Sequence, residues 1–200
     1  MKKAMKKIIL ASSSPYRKEL LSRLGLAFDC YSPNIDETAL INEDPDDYVR
    51  RMSMEKATKI GKNQENSLII ASDQASICNR EILGKPGDHD HAIEQLQRIS
   101  GQEVVFSTAV TLLKTGSSAN DDESTTWIEY FFVQFRPLDL AEIERYLMTD
   151  RPYDCAGSFK SEKLGVALCQ SMRGDDPTAL IGLPLISLAK HLRELGYQIP

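Results

Sequence analysis

The stretch NSLIIAS, residues 66–72, decides the fold. Its near-continuous apolar run, Leu68 to Ala71, lacks the alternation of a strand with one wet face. It reads as a central strand covered on both sides. Upstream, KIILA (7–11) reads as a second short buried strand. SPYRKELLSRLG (14–25) is an amphipathic helix with Leu20, Leu21 and Leu24 on one face and Gly25 as its stop. FDCYSP (28–33) is a strand ended by Pro33, residues 34–45 form an acidic loop, and DPDDYVRRMSMEKATKIGK (44–62) is a helix opened by Pro45. Downstream, ASICNREILG (75–84) has the pattern of a hairpin turning at Asn79-Arg80. DHDHAIEQLQRIS (88–100) is a helix closed by Gly101. Two β-rich stretches follow, 103–114 and 125–136, with the polar TGSSANDDEST as the hairpin tip. DLAEIERYLMT (139–149) and GLPLISLAKHLRELG (182–196) complete the set of helices. Strands and helices alternate without an internal repeat, so the class is α/β and residues 1–200 are expected to form one domain.

Composition narrows the function. The net charge is −5 over 200 residues, with 42% hydrophobic and 26% charged residues. Such a surface does not attract nucleic acid, so any anion site is local. The four cysteines form no C-x-x-C pair and read as reduced thiols of a cytoplasmic protein. The basic start MKKAMKK is followed only by IILA, too short for a signal peptide or a membrane span.

Several stretches carry chemistry. In ASSSPYRKEL (11–20), Ser14 reads as an N-cap and Pro15 as the first helical residue. Arg17 and Lys18 then stand at the positive pole of a helix, where acidic residues are the favourable choice. A bound phosphate group at the helix N-terminus would balance that charge; two solvated cations are the plain alternative. Asp73, just past the apolar run, falls where open α/β sheets bind ligands. A carboxylate there can hold Mg²⁺ or orient a water, or simply close the strand in an Asx-turn. In LGKPG (83–87), Gly84 and Pro86 set the backbone so that Lys85 projects from a rigid turn, suited to a phosphate or merely solvated. Asp36 and Glu37 of NIDET (34–38) could join Asp73 at a metal, and Lys56 lies on the second helix. DHDH (88–91) suggests a metal site, but His89 and His91 are two residues apart on a helix and point in different directions.

Together these pieces resemble the Maf family of nucleoside triphosphate pyrophosphatases. ILASSSPYRKELL, NIDET, EKA, SDQ, GKP and GLPL stand in the family's order across almost the whole chain. YDCAGSFKSEKLG (153–165) with Ser72-Asp73-Gln74 resembles the subgroup that hydrolyses 7-methyl-GTP. That subgroup's bacterial members carry Trp where this chain has Tyr16. The resemblance implies an elongated α/β fold with a mixed central sheet and a cleft between two lobes. It implies cleavage between the α and β phosphates with a divalent cation, Mg²⁺ or Mn²⁺. Asp73 matches the general base, and Glu37 with Asp73 the metal site. Ser12, Arg17, Lys56 and Lys85 match phosphate-binding positions. Tyr16, Gln74 and Glu162 match positions that select the base. Glu162 can accept from the N–H edge of the cationic 7-methylguanine, on which an aromatic residue 16 can stack. The expected partner is a nucleoside triphosphate, with neither nucleic acid nor membrane, and the family often forms homodimers. A dTTP/UTP or broader pyrophosphatase, and a non-enzymatic regulator of septum formation, are the competing readings.

Overall fold

The computed structural model describes residues 5–118 and 121–200. The first four residues of the basic start, and Ala119 and Asn120 of the hairpin tip, lie outside the described residues. The described strands are β1 (Lys7–Ala11), β2 (Phe28–Tyr31), β3 (Ser67–Cys78), β4 (Glu81–Leu83), β5 (Glu103–Lys114), β6 (Glu123–Phe135) and β7 (Cys169–Arg173). They form one sheet in the order β2-β1-β3-β5-β6-β7, with β4 also on β3. β2, β1 and β3 run parallel, and the remaining pairs are antiparallel. The helices are α1 (Pro15–Ser22), α2 (Pro45–Gly61), α3 (His89–Ile99), α4 (Leu140–Asp150) and α5 (Leu185–Glu194). The fold is therefore α/β with a mixed central sheet. No helix among the described residues is long and apolar enough to cross a membrane, and the four cysteines are free.

The central strand is longer than its apolar run. β3 extends to Cys78 because β5 pairs with it from Leu68↔Lys114 to Ile77↔Val105. Asp73 accordingly lies inside the strand, a correction to its expected place past the strand's end. What does end there is the other neighbour. β1 pairs only as far as Leu10↔Ile70, and β4 begins at Ser76↔Leu83. Among the described residues, 71–75 of β3 have a strand on the β5 side alone, and the cleft opens in that gap.

Strand alternation sorts the residues bordering the gap. Leu68 and Ile70 pack with Leu20 and Leu21 of α1 and Leu188 and Leu192 of α5. Ile69 and Ala71 face the opposite way, onto Ala57 of α2. By the same period Ser72 and Gln74 face the turn before α5, and Asp73 faces α2. A second apolar cluster unites α3 (Leu96, Ile99), α4 (Ile143, Leu147) and the far ends of β5 and β6 (Phe106, Phe135) with Phe159 and Leu180. The cleft lies between this cluster and the α1–α5 one.

Local signals behave as their chemistry dictates. Ser14, Asp44, Asp88 and Asp139 cap α1, α2, α3 and α4, and Gly25 and Gly101 take the left-handed conformation (φ +68° and +70°) just past α1 and α3. Asn79 and Arg80 turn the β3–β4 hairpin with positive φ at both positions (52° and 68°).

Candidate active site

The cleft holds about 480 Å³, and the nine residues that the family resemblance assigns to the site all line it: Ser12, Tyr16, Arg17, Glu37, Lys56, Asp73, Gln74, Lys85 and Glu162. They come from β1–α1, the acidic loop, α2, β3, the β4–α3 loop and the segment after α4.

One end of the cleft is densely charged, and its two most buried charges, Lys56 of α2 and Asp73 of β3, stand on regular elements. Lys56 and Asp73 are 5% and 6% exposed. Lys56 Nζ donates to Asp73 Oδ1 at 2.5 Å and pairs with Glu37 Oε1 at 2.7 Å. An ammonium expected to meet phosphate is thus already held between two carboxylates. Burial pushes the Glu37 carboxyl up, but Lys56, with Lys85 and Arg17 behind it, outweighs this and holds it below the usual carboxylate range. The loop carrying Glu37 is tethered to α2. Arg51 grips both oxygens of Glu43 at 2.6 Å and donates to Thr38 O at 3.1 Å, and Tyr48 donates its hydroxyl to Glu37 O at 3.0 Å. Asp36 does not join them: it is exposed, accepts from Thr38 N–H and Oγ1, and lies outside the cleft.

The two cations at the head of α1 separate in space. Lys18 is exposed and outside the cleft lining. Arg17 turns inward and donates Nε to Gly182 O at 2.9 Å. Desolvation pulls its guanidinium down from the ordinary arginine value, opposed by the charges of Asp73 and Glu37. The helix pole itself is partly spent. Pro15 has no N–H, and Arg17 and Lys18 donate theirs to Ser14 Oγ and Ser14 O, which leaves Tyr16 N–H of the first turn. Ser12 Oγ accepts from Ser14 N–H at 3.1 Å and retains its own proton to donate.

The turn before α5 supplies what the sequence did not assign to it. Gly182 sits at φ +112°, and a Cβ there would meet Arg17 Nε at 3.3 Å. Its carbonyl accepts from both Arg17 and Ser72 Oγ. Gln74 Nε2 donates to Ala179 O at 2.7 Å and to Thr108 Oγ1 at 2.9 Å. A carbonyl only accepts, so the amide nitrogen must face the turn, and Oε1 is left to accept from a ligand. Buried Asp176 braces the turn by accepting from Thr178 N–H and Oγ1 and from Ile186 N–H. The GLPL signature marked this stretch, but it did not show that backbone carbonyls would do the holding.

The other end of the cleft is looser. Tyr16 is half-buried, and its phenol lies close enough to the Lys160 ammonium to feel its charge. Burial raises its phenol, against the pull of that ammonium. Lys160 is 7% exposed and pairs with Asp154 at 3.3 Å. Glu162 is exposed and enters no ion pair among the described residues; it accepts only from Ser161 Oγ at 3.4 Å. Its carboxylate therefore remains available to a ligand.

The DHDH stretch divides as helix geometry requires. His89 bridges Tyr153 Oη (2.9 Å) and Glu144 Oε2 (3.0 Å), while His91 returns to Asp88 at 2.7 Å. Among the described residues no group of three or more His, Cys, Asp and Glu could hold a metal ion. The donor set in the cleft is instead a pair of carboxylates, Glu37 and Asp73, both within 2.7 Å of the Lys56 nitrogen. Magnesium-type sites commonly use one or two protein carboxylates and take their remaining oxygens from water and substrate phosphates, so these residues fit.

A family model described as Maf-like protein matches residues 7–195. The 7-methyl-GTP pyrophosphatase of Nitrosococcus oceani is 48% identical over 192 residues, covering 96% of this chain and 94% of its own. That of Colwellia psychrerythraea is 43% identical over 195 residues, covering 98% and 96%. Among solved structures, the HAM1 protein of Coxiella burnetii is similar with a TM-score of 0.46 at 14% identity, covering 82% of this chain and 98% of that one.

Proposed function

The chain belongs to the Maf-like protein family, and on that premise we propose that it hydrolyses 7-methyl-GTP between the α and β phosphates, giving 7-methyl-GMP and diphosphate. What supports this reading is a single cleft lined both by the charged set Arg17, Lys56, Lys85, Asp73 and Glu37 and by Tyr16, Gln74 and Glu162.

A triphosphate brings about four negative charges. Three cations and two carboxylates leave the protein end with a formal charge of only about +1. Glu37 directly, and Asp73 through water, would hold a divalent cation, Mg²⁺ or Mn²⁺, which supplies the missing positive charge and polarises phosphoryl oxygens when bound. The protein's own groups do the rest. Arg17 and Lys85 neutralise phosphate oxygens, and Ser12 Oγ donates to one of them. Lys56 takes Asp73 Oδ1 and leaves Oδ2 to accept a proton from a water. That water attacks the α-phosphorus, the bond to the bridging oxygen breaks, and diphosphate leaves with the electron pair. At the far end Glu162 accepts from the N–H edge of the base and opposes its positive charge, while Tyr16 stacks on the ring.

The test is diphosphate release from 7-methyl-GTP, GTP, dTTP and UTP with Mg²⁺. The highest kcat/KM is expected for 7-methyl-GTP. A preference for UTP or dTTP overturns the base assignment.

A further inference from the structure

Lys85 stands between a residue with unusual backbone freedom and one with little. Gly84 lacks a Cβ and turns easily, while Pro86 confines Lys85 to extended conformations. The remaining freedom is rotation of the Gly84–Lys85 peptide plane, and the fold stops it at Gly84 O. That carbonyl accepts from Gly157 N–H at 3.3 Å and from Gln95 Nε2 at 3.0 Å. Gln95 is a half-buried residue of α3 outside the cleft lining. Its other amide atom, Oε1, accepts from the fully buried Ser158 hydroxyl at 2.7 Å. Because Gly84 O can only accept, the amide has one orientation: nitrogen to Gly84, oxygen to Ser158.

Gly157 and Ser158 belong to a short 3₁₀ turn that leads directly to Lys160 and Glu162. The turn has little slack. Gly157 (φ +66°) lies so close to β3 that a Cβ would stand 3.1 Å from Ser76 Oγ, and Ser158 is itself at φ +56°. Ser158 O accepts from Tyr146 Oη at 3.2 Å, and that oxygen accepts from Lys160 N–H at 3.0 Å. A shift of the base-side segment is therefore felt at the peptide that aims Lys85 by two routes, the 3.3 Å bond from Gly157 N–H and the shorter bonds through the Gln95 side chain.

The geometry points to Gln95 as a positioning residue that locks the phosphate-side lysine to the base-side segment, so that seating the base and placing Lys85 are one event. This rests on the 7-methyl-GTP reading, which it deepens.

Three variants separate the links. Gln95→Glu keeps the acceptor for Ser158 but sets a carboxylate against Gly84 O. Ser158→Ala removes only the base-side bond, and Gln95→Leu removes both. Kinetics on 7-methyl-GTP and GTP are combined with calorimetric binding of inorganic tripolyphosphate, which has no base; thermal unfolding verifies that each variant is folded. Gln95→Glu is expected to lower kcat about fivefold on both nucleotides and to weaken tripolyphosphate binding by a similar factor. Ser158→Ala is expected to lower the 7-methyl-GTP to GTP preference about fivefold and leave tripolyphosphate binding unchanged. Gln95→Leu shows both effects, and adding Ser158→Ala to it changes nothing further. Wild-type tripolyphosphate affinity in Gln95→Glu, or multiplicative effects of Gln95→Leu and Ser158→Ala, overturns the link. Failure of the wild type to hydrolyse 7-methyl-GTP counts against the proposed reaction instead, and the tripolyphosphate comparison still decides the role of Gln95.

Discussion

The two ends of the cleft are built differently. At the end proposed to take the phosphates, Asp73 and Lys56 project from the middle of a strand and a helix, are nearly buried, and are fixed by an ion pair of 2.5 Å. At the end proposed to take the base, Glu162 is exposed on an irregular segment and, among the described residues, accepts a single long hydrogen bond. Reaction geometry tolerates little misplacement, so groups that act on it gain from rigid elements. Of the three residues proposed to select the base, Tyr16 on α1 and Gln74 on β3 share that regular framework, and only Glu162 sits on a loop, where it can vary without disturbing the chemistry.

The largest expected effect lies at the phosphate end. Asp73→Asn keeps the shape of the side chain but removes the proton acceptor, and kcat for 7-methyl-GTP is expected to fall about 10³-fold with KM little changed. Steady-state diphosphate release checks this; near-wild-type turnover would remove Asp73 from its assigned role. Next comes Glu162→Gln, which takes away the charge opposing the cationic base. Here kcat/KM for 7-methyl-GTP is expected to fall about 10–30-fold and that for GTP far less. Equal losses on both nucleotides would place Glu162 outside base recognition.

A smaller effect, on stability, is expected at the turn joining α5 to the site. Asp176→Ala leaves Ile186 N–H and the Thr178 hydroxyl without their acceptor and is expected to cost about 1–3 kcal/mol in denaturant unfolding. The smallest concerns the Glu37 loop and depends on pH. Glu43 is held down to about 2 from an ordinary 4.5, chiefly by its hydrogen bonds from Arg51, which outweigh the opposing cost of burial. A depressed carboxylate contributes its full stabilisation above its unfolded value, and that contribution is lost as pH falls through the folded one. The melting-temperature gap between wild type and Glu43→Gln is therefore expected to be constant near neutral pH and to close between 4.5 and about 2. A gap that widened on acidification would contradict the pairing.

Legibility in the sequence follows the same division. The helix caps, the Asn79-Arg80 turn and the apolar strands were readable because each rests on local chemistry or periodicity. Asp73 misled because three polar residues in succession, Ser72 to Gln74, look like the end of a strand. They continue β3 because α2 and the turn before α5 offer each of them a partner. The segment 153–168 has no period to read, and its form comes from contacts with residues such as Gln95 and Tyr146. Motif resemblance reached Glu162 there, but only the fold places Ser158 and Lys160. β7 was likewise hidden: its short, mostly exposed run Cys169–Arg173 is a strand only because β6 pairs with it.

The division of labour between the two ends is tested most directly by the ratio of kcat/KM for 7-methyl-GTP to that for GTP, measured in Asp73→Asn and in Glu162→Gln. The expected result is a wild-type ratio in the first variant, with both activities lowered together, and a collapsed ratio in the second. A ratio altered by Asp73→Asn and preserved by Glu162→Gln would contradict the account.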